Sequence, residues 1–274
     1  MVQIQFPARI HVLLASQAPV GLVIRRGPAK RVATMLWDRT RDEFQMGQWL
    51  KGRIYERQCD LSPNGKHFLY FARKNGEAWS AISRAPFLKA ISMYSIGGVN
   101  WCGGGIWTSD STHRLNDEYV HDAPRDSETV GGGTSHSPEG VDPSQYSPRL
   151  IRDGWNLTRS VLITKWEVEQ VFEKSITPEW TLRKLAHPVS SQVGKSCFWE
   201  EHQLVHRASG AIVAYPDWEW ADLDGTRLVW ATGGKLFTGS MLAEGLANET
   251  VLFDFNGMVF SPIEAPYCCV KRGI

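Results

Sequence analysis

Asp60-Leu-Ser-Pro-Asn64-Gly65-Lys-His-Phe-Leu-Tyr-Phe-Ala72 and Trp220-Ala-Asp-Leu-Asp224-Gly225-Thr-Arg-Leu-Val-Trp-Ala231 follow one plan. Each opens with a short strand entry, turns on Asn-Gly or Asp-Gly, and continues into an aromatic-rich strand. That dipeptide suits a type I′ hairpin, in which both central residues take positive φ. The segments upstream correspond as well. Leu36-Trp-Asp-Arg-Thr-Arg-Asp-Glu-Phe44 matches Leu204-Val-His-Arg-Ala-Ser-Gly-Ala-Ile212 as strand, polar turn, strand. A fainter third copy is Leu252-Phe-Asp-Phe-Asn256-Gly257-Met-Val-Phe260.

Around these repeats, runs of Val, Ile, Thr, Tyr, Phe and Trp with a period near two recur along the chain, punctuated by Gly, Asn, Asp and Pro. They predict many short strands, among them 12–16, 21–24, 31–37, 67–72, 78–83, 160–166, 203–207, 211–215, 226–231, 250–255 and 258–260. Helical periodicity is scarce and strands do not alternate with helices, so an all-β sandwich, barrel or propeller is expected. Internal repetition favours the propeller.

The stretch Asp-Leu-Ser-Pro-Asn-Gly-Lys-x-Phe-Leu-Tyr-Phe resembles the repeat of WD40-like and TolB-type β-propellers. The resemblance covers residues 57–76 and, less fully, 217–240. It implies a small propeller of about five four-stranded blades, since a blade takes roughly 40–50 residues. A working division is 10–50, 51–98, 99–160, 161–196 and 197–245, with the strands near 250–262 completing a sheet with N-terminal ones. One domain over 1–274 is expected, interrupted at 122–149 by a flexible or lid-like loop with a Gly triplet and few apolar groups. The propeller fold hosts scaffolds, lectins and enzymes, so it says little about function.

The totals narrow the function classes. Apolar residues make up 42%, charged residues 22%, and the net charge is +1. No global field draws the chain to nucleic acid or membrane. The N-terminal apolar run 10–15 is short and broken by His11, so no leader is expected there and a cytoplasmic location follows. Five cysteines form no CxxC pair and no zinc spacing, and buried free thiols are the expectation.

No organised catalytic motif emerges, and neither a cofactor nor a metal site is expected. His202 and His206 lie on a predicted strand with Leu204 between them, too far apart to share one ion. There is no Gly-x-Ser-x-Gly elbow. Asp38, Asp60, Asp217, Glu219 and Asp222 could supply a glycosidase pair, although Asp60 and Asp222 belong to repeat turns with local hydrogen-bonding work. The glycine runs 103–105 and 131–133 match neither a dinucleotide nor a Walker loop.

Two surface features remain. The chain holds 12 Trp, and Trp218 with Trp220, and Trp101 with Trp107, could stack sugars or anchor a peptide, with packing between sheets as the competing role. Arg25-Arg26-Gly-Pro-Ala-Lys30-Arg31 is a basic hairpin tip, and Arg53, Arg57, Arg73, Lys74 and Arg84 could share its face by repeat phasing. With Trp49 and Trp79 interleaved, that face could meet phosphates and bases. The expected function is a non-enzymatic interaction module or accessory subunit with a protein partner, its contacts centred on Trp218, Trp220, Trp101, Trp107, Arg25 and Arg26. The alternative is a carbohydrate-binding protein or glycosidase, with nucleic acid behind both and no membrane partner.

Overall fold

A computed structural model describes residues 6–27, 30–96, 103–115, 120–122, 146–164, 167–189 and 198–267. They form antiparallel sheets, one short α-helix and a 3-10 turn at Glu56–Gln58. No helix among the described residues is long and apolar enough to cross a membrane. The all-β expectation holds.

The strands arrange as sequence-local meanders, the construction of a propeller blade. β1 (Arg9–Leu14), β2 (Val20–Gly27), β3 (Arg31–Asp38) and β4 (Glu43–Lys51) pair in that order. β5 (Arg53–Ile54), β7 (His67–Lys74), β8 (Glu77–Arg84) and β9 (Ala90–Ile96) form the next sheet, with β6 (Asp60–Leu61) also on β7. A three-stranded sheet follows from β10 (Gly105–Trp107), β11 (Thr112–Leu115) and β12 (Val120–Asp122). After α1 (Tyr146–Arg152) come β13 (Asn156–Leu162), β14 (Val168–Ser175), β15 (Trp180–Val189), β16 (Trp199–His206) and β17 (Ile212–Tyr215) in one sheet. β18 (Trp220–Asp224), β19 (Arg227–Thr232), β20 (Lys235–Leu242) and β21 (Gly245–Asp254) make the last.

The first two expected blades, 10–50 and 51–98, coincide with the first two sheets. The boundary at 196–197 does not, because β15 pairs with β16 from Trp180↔His206 to His187↔Trp199, joining both sides of it. Residues 250–254 pair within their own sheet, on β20, rather than with N-terminal strands. Of the loop expected at 122–149, positions 123–145 lie outside the described residues, and Tyr146–Arg149 open α1.

The chain divides into two compact units, one of residues 1–6, 11–149 and 258–274, the other of 7–10 and 150–257. In the first, Leu22, Ile24, Val32, Leu61, Phe68 and Ala81 belong to one buried apolar cluster that also takes in Cys59. In the second, Trp155, Phe172, Leu182, Leu228, Trp230 and Phe255 are buried.

Both repeat copies use their Asp alike, and differ in the turn. Asp60 Oδ1 accepts Leu61 N–H at 2.9 Å, and Asp222 Oδ1 accepts Leu223 N–H at 2.7 Å. In each turn only the glycine has positive φ, Gly65 at 73° and Gly225 at 60°. In the first copy Gly65 N–H donates to Ser62 O at 2.8 Å over Pro63 and Asn64, and Pro63 fixes the first corner of that turn. In the second copy Asp224 pairs with Arg227, which puts Gly225 and Thr226 at the centre of a two-residue turn with a II′ φ pattern. A type I′ turn stands elsewhere, at Asn75-Gly76, with φ of 51° and 90° between paired Lys74 and Glu77.

Candidate partner-binding site

The stacking residues come first, because the structure places them inside. Trp107, Trp218 and Trp220 are 0%, 5% and 3% exposed. Trp218 stacks on Tyr215 at 4.0 Å and on Trp230 at 5.0 Å. Trp107 lies against His67 and His113, and its backbone N–H donates to Asp60 Oδ2 at 2.7 Å. Seven of the ten described Trp are buried and none is exposed, so the indole richness serves packing. A surface built on these three rings is not what the structure shows. Trp101 lies outside the described residues.

Four of the five candidate carboxylates are engaged locally, and Asp217 is exposed. Asp38 accepts Thr40 N–H and pairs with Arg41, whose hydrogen bond holds its carboxyl below the usual range. Glu219 accepts Ile10 N–H at 2.8 Å. Asp222 receives Lys174 Nζ at 2.7 Å and Trp155 Nε1 at 3.1 Å. His202 and His206 lie on β16 as expected, with Nδ1 on Trp218 O and Ser209 Oγ respectively. Among the described residues no group of three or more His, Cys, Asp and Glu could hold a metal.

The basic positions are another matter. Lys30, Arg31, Lys51, Arg53, Arg73 and Lys74 line one groove of about 750 Å³ in the first unit, together with Gly52, Tyr55, Asn75 and Gly76. Six cations meet there, and no described lining residue carries a carboxylate. Among the described residues none of the six forms an ion pair.

Local structure explains the convergence. β4 ends at Lys51 and β5 begins at Arg53, so only Gly52 separates two sheets. Gly52 N–H donates to Lys30 O at 2.8 Å, and a Cβ on it would stand 2.8 Å from Arg73 O. A residue without a side chain is what lets the chain cross so close to β7. The β7–β8 turn then brings Lys74, Asn75 and Gly76 to the rim.

The register opposes like charges twice. Arg31 pairs with Lys51 across β3 and β4, and Arg53 pairs with Arg73 across β5 and β7. Directly opposed residues of an antiparallel pair share a sheet face, where like charges are destabilising. Aromatic rings hold part of the cluster in place. Lys51 Nζ lies 4.7 Å and Arg31 Cζ 5.8 Å from the Phe260 centroid, while Trp49 packs on the same ring at 5.7 Å. Tyr55 stacks on Phe71 at 4.9 Å.

Arg25 and Arg26 stand apart from this lining. Arg25 is 6% exposed, its guanidinium 5.5 Å from the Trp49 centroid, and desolvation lowers its pKa. Arg26 bridges to the buried Glu56 at 2.7 Å. Among the predicted basic positions, Lys30, Arg31, Arg53, Arg73 and Lys74 are therefore brought together. Lys51 was missed, although its place one residue before Gly52-Arg53 put it next to the cluster.

No family model matches the chain, and no curated protein is similar to it. Among solved structures, the N-terminal domain of Nup159 is similar over 87% of this chain and 61% of its own length, at 8% identity and a TM-score of 0.23. The chain thus spans about three-fifths of that domain's length.

Proposed function

We propose that the chain is a non-enzymatic protein-interaction module, an accessory subunit whose consecutive sheets serve as the blades of one propeller domain over residues 1–274. The observation that carries this reading is the groove at Gly52, where two rigid meanders hold six cations that have no acidic partner among the described residues. Binding sites commonly form on short loops fixed by a scaffold of this kind. Of the carboxylates that could have formed a catalytic pair, Asp38, Asp60, Glu219 and Asp222 are occupied by backbone amides, Arg41, Lys174 and Trp155, which suits a structural role. The carbohydrate alternative draws on exposed indoles, and no described Trp is exposed.

The test is affinity capture of the tagged full chain from its native cells, followed by reconstitution from purified components. A protein that co-elutes in stoichiometric amount and rebinds the purified chain in size-exclusion chromatography supports the reading. A chain that captures no protein but retains glycans on an array replaces it with the carbohydrate alternative.

A further inference from the structure

We infer that the Gly52 groove seats an extended, Asp/Glu-rich segment of the partner protein, its carboxylates set between Arg31 and Lys51 and between Arg53 and Arg73. This rests on the interaction-module reading and adds the chemistry of the partner to it.

The first argument is electrostatic. Two cross-strand pairs of like charge, one on either side of a single glycine, raise the free energy of the empty groove. Elsewhere on the chain Arg41 pairs with Asp38 and Arg159 with Glu169. Among the described residues none of the six does so, and all six line one concavity in a chain whose net charge is only +1. An anion seated between the paired cations adds attractions that offset both repulsions. Its volume of about 750 Å³ falls in the range of ordinary ligand clefts, roughly 300–1,000 Å³.

The second argument separates an acidic peptide from a nucleic acid. Single-stranded nucleic acid is held by a basic track together with open aromatic faces on which bases stack. The rings beside this groove are already engaged. Phe260 carries Lys51 and Arg31, Trp49 carries Arg25, and Tyr55 is stacked on Phe71. What remains for a ligand is charge and hydrogen-bond donors, chiefly three guanidinium forks that match carboxylates in bidentate fashion.

The experiment is fluorescence anisotropy of a short labelled Glu-rich peptide with the full chain. An oligo-dT of equal charge serves as competitor, and Arg53→Ala/Arg73→Ala and Lys66→Ala as variants. The peptide is expected to bind the wild type and the exposed-lysine control Lys66→Ala equally. The double variant is expected to bind it roughly tenfold or more weakly, while its melting temperature holds or rises because a repulsion has gone. Equal peptide binding by the double variant overturns the inference, and so does oligo-dT that binds tenfold more tightly than the peptide. If the peptide fails to bind while a captured partner binds wild type and double variant alike, the groove assignment falls and the interaction module stands. If no protein partner exists at all, the broader reading falls with it.

Discussion

The side-chain oxygen of Asn256 accepts the backbone N–H of Ala8 at 3.0 Å, a bond between residues 248 positions apart. The same amide donates through Nδ2 to Gly233 O and Asp254 Oδ1, both at 2.9 Å. One side chain thus ties the N-terminal residues 7–10 to the last sheet of the second unit, a task for which strand pairing was expected. Asn256→Ala removes all three bonds and is expected to cost about 1–2 kcal/mol. Asn256→Asp keeps the acceptor for Ala8 but sets a carboxylate oxygen against Gly233 O and Asp254 Oδ1, and is expected to cost at least as much. Urea denaturation with an unchanged m-value checks both.

Trp218→Ala empties a buried slot between Tyr215 and Trp230. The expected loss is about 3–5 kcal/mol, read from chemical denaturation. Binding of the Glu-rich peptide by the folded fraction is expected to be unchanged. A loss of binding with stability intact would return Trp218 to the partner surface.

Asp222 holds Lys174 and the indole N–H of Trp155, with 17% and 11% of the Lys174 and Asp222 side chains exposed. Asp222→Ala leaves an ammonium and an indole donor without that partner, and is expected to destabilise by about 3 kcal/mol or more. The Asp222→Ala/Lys174→Ala double variant is expected to be less destabilised than the two single losses added together, with a coupling of roughly 1–3 kcal/mol. Additive losses would show that the ion pair contributes nothing beyond packing.

Burial raises the Cys59 thiol well above its usual 9.0 and the Tyr70 phenol above its usual 10.0. The folded chain therefore keeps protons that the unfolded chain releases. Their contribution is fully present below about pH 9 and is lost as pH rises from there toward the folded values. The melting temperature is expected to fall between about pH 9 and 11, less steeply in Cys59→Ala. Native Cys59 is expected to resist thiol reagents at pH 8 and to react once the chain is unfolded.

Much of the fold could be read from the chain because period-two alternation and turn dipeptides are local signals. β3, β7, β8, β17 and β19 lie close to their predicted spans, while β16 begins four residues before its own. β4, β14 and β20 lie outside the predicted spans because they are rich in Glu, Gln, Lys, Gly and Ser rather than in β-branched residues, although Glu43-Phe-Gln-Met does alternate. Met258–Phe260 has strand composition and forms no strand; Phe260 packs beside Trp49. The type I′ turn was assigned to the right dipeptide class at the wrong copies, because Pro63 and the spacing after Asp224 select other turns. In the groove the basic residues were visible singly. Their opposition in pairs depends on strand register, which composition does not carry.

The two opposed pairs beside Gly52 give ionic strength two contrary effects on one chain. Added salt screens Arg31 from Lys51 and Arg53 from Arg73, which relieves repulsion that the folded state alone enforces. The same screening weakens any acidic ligand held between them. Melting temperature and ligand affinity are therefore expected to move in opposite directions along a single sodium chloride titration, so that the groove is most receptive in the dilute conditions under which its own fold is least at ease.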